Sequence, residues 1–193
     1  MKVRILLILA ALAAPAFAPV PAWGQSIVTR GVGLAHDCYI YAKIGRDPRD
    51  GVETCDRSLL EEALTRKDKA ATYDNRGVML DLLGRTEAAE ADFDQAIALN
   101  PELGDAYINR GSMLIKRRRL DEALDNINKG LTLGSAFPHI GYYDRALAEE
   151  LLGRYLEAYH DYKKVLELQP DYAPAVERLK DFTVVRKPAA PPS

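Results

Sequence analysis

Residue types that carry out chemistry are scarce in this sequence. Its 193 residues include only three histidines and two cysteines, too few and too widely spaced for a catalytic or zinc-binding cluster. The histidines are His36, His139 and His160, and none lies four residues from another. The sequence also has no glycine-rich phosphate loop, nucleophile elbow or HExxH motif. We therefore expect no catalytic residues, no bound metal and no cofactor, and a protein that is not an enzyme.

An excess of basic residues is also lacking. Lys and Arg number 26 against 28 Asp and Glu, which gives a net charge of −2. A protein that binds nucleic acid needs a basic face for the phosphates, so we expect no nucleic-acid partner. One basic run, 116–119, is interpreted either as a solvated turn or as a weak contact for a membrane or an acidic partner. The sequence leaves both interpretations open.

No apolar run is long enough to cross a bilayer, which takes about 20 residues. The longest run, Ile5–Ala14, follows the positive residues Lys2 and Arg4 and precedes a stretch rich in small residues. This order is typical of a secretory signal peptide. We predict a signal peptide at 1–24, cleavage before Gln25, and a mature protein that is periplasmic or secreted, with no lipid-anchor cysteine and no transmembrane segment.

The sequence does contain an internal repeat. The pentapeptide Tyr-Asp-Asn-Arg-Gly at 73–77 aligns with Tyr-Ile-Asn-Arg-Gly 34 residues later, at 107–111, and with Tyr-Tyr-Asp-Arg-Ala a further 35 residues later, at 142–146. When each unit is numbered from residue 70, 104 or 139, an aromatic residue occupies position 4 and a small residue position 8. Alanine occupies position 20, and a large apolar residue occupies position 24. Repeats of this length are typical of solenoids built from supersecondary units.

This pattern resembles the tetratricopeptide repeat (TPR), strongly so over 70–170, and the chain is similar to exported bacterial members of that family. The resemblance implies an all-α fold in which antiparallel helix hairpins stack into a right-handed superhelix with a C-terminal capping helix. In the second unit, Arg118 stands where Gly84 and Gly153 supply the turn glycine of the other two. We place one domain at 25–183, made of a degenerate N-terminal hairpin (30–66), repeats 1 to 3 (70–103, 104–138 and 139–171) and the capping helix (172–183), before a disordered tail at 184–193.

Both cysteines lie in the degenerate hairpin, at Cys38 and Cys55. An even number of cysteines in an exported protein favours a disulfide. With Gly45 as the turn glycine, the TPR frame puts the two on facing positions of paired helices. Their Cα atoms can then lie within the ~4.4–6.8 Å that a disulfide requires. The alternative is two buried thiols that pack as small apolar side chains.

The resemblance implies a non-catalytic protein–protein interaction adaptor or scaffold in the cell envelope, which binds a partner segment in its concave groove. The alternative is a structural subunit of an envelope assembly that uses edge or self contacts. We expect the partner to be a protein or peptide segment with apolar anchors and some basic residues. The oligomeric state is not predicted. The residues expected to bind the partner are Asp74, Val78, Asp81, Asp105, Ile108, Asn109, Ser112, Lys116, Ile140, Tyr143, Leu147 and Glu150.

TPR domains that hold a C-terminal carboxylate do so with basic and amide side chains on the first helices of successive repeats. The matching positions in this sequence are Asp74, Val78, Asn109, Ile140 and Asp144. Only Asn109 fits, and the two aspartates oppose an anionic ligand. The comparison therefore argues against binding of an acidic chain end.

Positions 6 and 7 of each repeat hold Asn-Arg or Asp-Arg, at 75–76, 109–110 and 144–145. One interpretation is a polar ladder that links the first helices of successive repeats. The other is a row of side chains that faces a ligand.

Overall fold

A computed structural model describes residues 33–183, and all regular secondary structure within that range is helical. The all-α prediction is confirmed. The predicted signal peptide and the predicted tail at 184–193 lie outside the described residues. None of the helices within 33–183 combines the length and hydrophobicity needed to cross a membrane. The helices are α1 (Leu34–Ile44), α2 (Pro48–Glu61), α3 (Arg66–Leu82), α4 (Thr86–Leu99), α5 (Gly104–Lys116), α6 (Leu120–Leu133), α7 (Pro138–Leu151), α8 (Tyr155–Leu168) and α9 (Ala173–Lys180).

The first eight helices form four hairpins: α1 with α2, α3 with α4, α5 with α6, and α7 with α8. The first helices of the hairpins also contact one another in chain order, from α1 through α3 and α5 to α7, and we call this row the inner layer. Each second helix packs on the first helix of the next hairpin, and α9 packs on α8. This pattern of contacts is a solenoid, in which each hairpin is buried by its neighbours in the stack.

Small residues at position 8 allow the two helices of a hairpin to approach closely. A Cβ atom added at Gly77 would lie 2.7 Å from a ring carbon of Phe93, and one added at Gly111 would lie 2.5 Å from the Ile127 side chain. Phe93 and Ile127 are both buried. The repeated spacing of positions 8 and 24 therefore marks the point where the helices of each hairpin cross.

The disulfide between Cys38 and Cys55 is present, as predicted, and both residues are buried. It joins α1 to α2 with the two Cα atoms 4.9 Å apart. A carboxylate closes the same hairpin at its other end, because Glu62 accepts hydrogen bonds of 2.8 Å from the backbone N–H groups of Leu34 and Ala35. These groups at the start of α1 have no partner within the helix. Two local links therefore hold the hairpin whose repeat pattern is weakest.

The turns inside the three repeats use left-handed backbone conformations. Gly84 has a φ of 71° and Gly153 a φ of 77°. Arg118 occupies the equivalent turn of the second repeat with a φ of 61°. The arginine therefore adopts the conformation of the glycine that it replaces, at a cost of about 1–2 kcal/mol for a residue with a Cβ atom.

Replacing Arg118 with glycine should stabilise the protein. Arg118→Gly removes the strain at this turn, and part of the gain is offset because glycine loses more backbone entropy on folding. We expect an increase of about 0.5–1 kcal/mol in the unfolding free energy, measured by urea denaturation. The matched control is Gly84→Arg, which should lower stability by a similar amount because the φ of 71° strains a residue with a Cβ atom. A Cβ there meets nothing within 4 Å, so no clash adds to that strain. Equal stability of all three proteins would contradict the argument.

Candidate functional site

Eleven of the twelve predicted binding residues lie in the inner layer with little or no exposure. Nine of them are buried, each 6% exposed or less. Asp81 and Glu150 are partly buried, and the Lys116 side chain is 45% exposed. The nine buried residues are Asp74 and Val78 on α3, Asp105, Ile108, Asn109 and Ser112 on α5, and Ile140, Tyr143 and Leu147 on α7.

Ile108 shows how deeply part of this set is packed. A Cβ atom added at Gly130 or Gly141 would lie 2.7 or 2.9 Å from its side chain. The isoleucine therefore fills the space between α5, α6 and α7 and contributes to the stacking of repeats 2 and 3.

Polar side chains connect successive helices of the inner layer. The Asn109 side-chain amide donates to both carboxylate oxygens of Asp74, at 3.0 and 3.2 Å. Ser112 donates a hydrogen bond to Asp144, and Lys116 Nζ lies 2.5 Å from Asp81 Oδ2. These pairs link α3 to α5 and α5 to α7. The interpretation of a polar ladder between first helices is therefore confirmed for Asn109 and Asp144 at position 6, through side-chain and not backbone partners.

Two carboxylates of the inner layer have unusually high pKa values. Burial raises the pKa of Asp144 to about 7, although the hydrogen bond from Ser112 and the charge of Lys116 oppose the rise. Burial also raises the pKa of Asp105 to about 6, against hydrogen bonds from the Ser135 hydroxyl and the backbone. Within residues 33–183, neither carboxylate forms an ion pair that would offset its loss of hydration. A cation beside either carboxyl group would stabilise its ionised form.

The arginines at position 7 point to the other side of the hairpins. Arg76 binds Asp92 through two hydrogen bonds of 2.7 Å, and Arg145 binds Asp161 through bonds of 2.6 and 2.8 Å. Each aspartate lies at position 23, on the second helix of the same repeat. The guanidinium group of Arg76 also lies over the Tyr73 ring, 5.2 Å from its centroid. These arginines hold the hairpins together and do not face the inner layer.

The C-terminal end of the inner layer contains residues that the sequence analysis did not assign to the site. The ring of Tyr143 packs against the rings of Tyr162 and Tyr172, with centroids 5.7 and 5.4 Å apart. Glu150 accepts a hydrogen bond of 2.7 Å from the Tyr162 hydroxyl and pairs with Arg178 at 3.3 Å. Tyr172 and Arg178 come from the segment predicted only as a cap, so no repeat position identified them.

The basic run beside the inner layer is largely neutralised. Lys116 pairs with Asp81, Arg117 with Glu87 and Glu90, and Arg119 with Glu90 and Glu122. These partners favour the interpretation of a structured turn over that of a contact for an anionic surface. Among residues 33–183, no group of three or more His, Cys, Asp or Glu side chains could hold a metal ion.

The comparison with protein families agrees with this geometry. The family model described as Tetratricopeptide repeat matches residues 70–103 and 141–172. These two segments of the chain are similar to tetratricopeptide repeats. The first matched segment has the same bounds as the predicted repeat 1, and the second overlaps the predicted repeat 3.

Proteins similar to this chain match it over parts of their length. It is 32% identical over 104 residues to the Lipoprotein NlpI homolog of Haemophilus influenzae, a match that covers 54% of this chain and 33% of the relative. The chain thus spans about a third of the length of that relative. The structure of PilW, a type IV pilus biogenesis factor, has a TM-score of 0.66 at 22% identity over 76% of this chain and 65% of PilW. The first TPR of Spaghetti, bound to the HSP90 peptide SRMEEVD, has a TM-score of 0.56 at 24% identity over 59% and 90%.

The second repeat of the chain departs from the pairing seen at the other two position 7 arginines. Position 23 holds Asn126 where the other two repeats hold aspartate. Arg110, at position 7, pairs instead with Asp94 of the preceding repeat at 3.0 Å. Its Nε atom is buried without a hydrogen-bond partner. An unsatisfied buried donor costs about 1–3 kcal/mol.

Restoring the missing carboxylate should stabilise the protein. Asn126→Asp would give Arg110 Nε a charged acceptor in the arrangement seen at Arg76, and we expect a gain of about 1 kcal/mol in the unfolding free energy. The matched control is Asp92→Asn, which should lower stability because it removes a charged partner from a half-buried arginine. Urea denaturation near pH 7.5 measures both. No gain from Asn126→Asp would contradict the assignment of Asn126 as the cause of the unpaired Nε.

The raised pKa of Asp144 predicts an unusual pH dependence of stability. The folded protein keeps a proton on this carboxyl up to about pH 7, while the unfolded chain loses it near the ordinary value of 3.8. Stability should therefore fall as pH rises from about 4 to 7, with the full loss present above pH 7. Asp144→Asn should flatten that part of the profile, measured by denaturation at several pH values. The same slope in wild type and Asp144→Asn, or an equal flattening by Asn at the exposed Asp125, would contradict this.

Proposed function

We propose that this TPR protein is a non-catalytic interaction adaptor of the cell envelope, whose inner layer binds a segment of another protein. The observation that carries the proposal is the composition of the inner layer. Partly exposed apolar side chains such as Leu82 and Leu151 lie there beside the carboxylates Asp81 and Glu150. Burial of an apolar surface supplies binding affinity, and the charged groups within that surface select the partner.

Solved TPR structures support peptide binding as the activity. The first TPR of Spaghetti is bound to an HSP90 peptide, SRMEEVD, and the second TPR domain of human RPAP3 is in complex with an HSP70 peptide, SGPTIEEVD. Both peptides end in acidic residues. The inner layer of the present protein carries carboxylates where binding such an end would require cations, so its partner should have the opposite charge.

The charge of the inner layer favours a basic segment with apolar anchors. The carboxylates are Asp74, Asp81, Asp105, Asp144 and Glu150, and the basic side chains beside them are Lys116 and Arg178. Desolvation already raises the pKa of two of these carboxyl groups. A Lys or Arg of a partner would stabilise their ionised forms, because an opposite charge in a water-poor site interacts more strongly than in solvent.

Three observations support an envelope setting. The N-terminal sequence is that of a predicted signal peptide, the mature region contains a disulfide, and a relative is named a lipoprotein. Disulfides persist in oxidising compartments such as the periplasm. The three are independent of the charge argument, so the location can be tested separately.

The binding proposal is tested with two matched libraries of nine-residue peptides, added to the protein that begins at Gln25. Both alternate apolar residues with charged ones, which are Lys and Arg in one library and Asp and Glu in the other. Fluorescence anisotropy should show at least tenfold tighter binding of the basic library. The preference should weaken with added salt, because the acidic positions at the rim are partly exposed.

Variants then locate the site. Asp81→Asn with Glu150→Gln removes two partly buried charges of the inner layer while keeping similar shapes and hydrogen-bond acceptors, and we expect a three- to tenfold loss of affinity for the basic library. Asp125→Asn, an exposed change on a second helix, should have no effect. Equal binding of both libraries, or an equal loss in the Asp125 variant, would contradict binding at the inner layer.

A further inference from the structure

The two junctions between the three repeats are held by different kinds of contact. Within residues 33–183, one ion pair crosses from repeat 2 to repeat 3, between Arg154 and Asp121, at 3.9 Å and with both side chains exposed. An exposed pair of this kind contributes little to stability. From repeat 1 to repeat 2, in contrast, ion pairs join Lys116 to Asp81, Arg110 to Asp94, Arg117 to Glu87 and Glu90, and Arg119 to Glu90. The second junction therefore depends mainly on hydrogen bonds and packing.

Two buried carboxyl groups provide hydrogen bonds across this second junction. Asp144 of α7 accepts one from Ser112 of α5, and Asp105 of α5 accepts one from Ser135 in the loop before α7. Asp144 is 6% exposed and Asp105 is 5% exposed. Both groups therefore connect repeat 2 to repeat 3, and both are shielded from water.

The helices at this junction also pack closely. A Cβ atom added at Gly141 of α7 would lie 2.8 Å from the Leu131 side chain of α6 and 2.9 Å from the Ile108 side chain of α5. A buried carboxylate is costly unless it is paired or hydrated. Hydration of either carboxyl group therefore requires α7 to move away from α5 and α6.

The loop between α6 and α7 is suited to such a movement. Ser135 occupies position 32 of its repeat, where repeats 1 and 3 have Pro101 and Pro170. Proline fixes φ, whereas serine leaves it free to change. The neighbouring Gly134 has a φ of 91°, and a Cβ atom added there would meet nothing within 4 Å.

We propose that the junction between repeats 2 and 3 is a pH-sensitive hinge, closed while Asp105 and Asp144 are protonated and loosened when they ionise. Loosening would change the angle between α5 and α7 and therefore the shape of the inner layer. The junction between repeats 1 and 2 should not respond in this way, because the ion pairs across it favour ionised carboxylates. Since the hinge needs no partner, it does not rest on the proposed function.

Protonation closes the hinge at acid pH. Burial raises the pKa of Asp144 to about 7, against a hydrogen bond from Ser112. Burial also raises the pKa of Asp105 to about 6, although this carboxyl group faces the Ser135 hydroxyl and the backbone of Ala136. In an open junction, water would return both groups toward the ordinary value of 3.8. Opening therefore releases protons, so it becomes easier as pH rises from about 4 to about 7 and changes no further above that.

Other titratable groups near Asp144 do not produce this response. The charge of Lys116 on α5 favours the ionised form of Asp144 but does not cancel the effect of burial. Burial raises the pKa of Tyr143 on α7 and of Tyr172 before α9, so both phenols stay neutral. The ring of His139 packs on Tyr172 with centroids 5.5 Å apart, and burial lowers its pKa. Protonation of His139 would loosen the region at acid pH, which is the opposite direction.

The charged side chains that other helices place around α7 have partners of their own. These pairs are Asp161 of α8 with Arg145, Arg178 of α9 with Glu150, and Asp121 of α6 with Arg154. Burial remains the largest influence on both carboxyl groups of the hinge.

Distances between spin labels test the proposal on the protein with its disulfide intact. Position 22 is exposed in all three repeats, at Ala91, Asp125 and His160, so a cysteine placed there carries a nitroxide at equivalent sites. Double electron–electron resonance of the 125–160 pair should give one narrow distance distribution at pH 5. At pH 8, a component at longer distance should be at least threefold more populated, because opening is linked to proton release. The 91–125 pair, which spans repeats 1 and 2, should give the same distribution at both pH values.

Substitutions then assign the response to the two carboxyl groups. Asp105→Asn with Asp144→Asn removes both ionisable groups at nearly constant shape and should leave the 125–160 pair in its closed distribution at pH 8. Asp94→Asn, which removes a carboxylate from the first junction, is the matched control and should keep the full response. If the double variant does not fold, which circular dichroism would reveal, Asp144→Asn alone should reduce the response by at least half.

Three results would overturn the proposal. The first is a 125–160 distribution that does not change with pH, or that broadens at acid pH instead. The second is an equal change in the 91–125 pair, and the third is a full response in the Asn variants of the hinge. No peptide is added in these measurements, so their failure is distinct from failure of the peptide-binding experiment.

Discussion

The close crossing of two helices in each hairpin is the contact on which the rest of this structure depends. Gly77 leaves room for the Phe93 ring and Gly111 for Ile127, at distances where a methyl group would collide. Because the crossing sets how far apart the helices lie, it also sets the positions of the first helices that stack beside one another. The inner layer, and any site on it, follows from that spacing.

The two sides of the hairpins use charge differently. On the second-helix side, Arg76 and Arg145 each hold an aspartate of their own repeat through two short hydrogen bonds. On the inner side, Asp105 and Asp144 have only neutral hydrogen-bond donors at close range. Paired charges stabilise the hairpins, whereas burial raises the pKa of the two inner-layer carboxyl groups.

This asymmetry distinguishes the protein from TPR domains that hold acidic peptide ends. The overall frame is shared, as the likeness to the first TPR of Spaghetti shows. The sign of the charge on the inner layer is reversed at Asp74 and Asp144 relative to a basic clamp. Under the proposed function, the same scaffold therefore selects a basic, apolar segment.

The sequence by itself determined the helical hairpins, their turns and the disulfide, because each depends on residues close together in one repeat. Position 8 meets position 24 within a single hairpin, Arg118 takes the turn conformation of the glycine it replaces, and Cys38 faces Cys55 across one turn. Only the tertiary structure decided how deeply Ile108 is buried. It also decided that Tyr172 and Arg178 pack at the C-terminal end of the inner layer. Those features depend on contacts between different repeats and with α9, where the side chains that meet are set by stacking and not by local spacing.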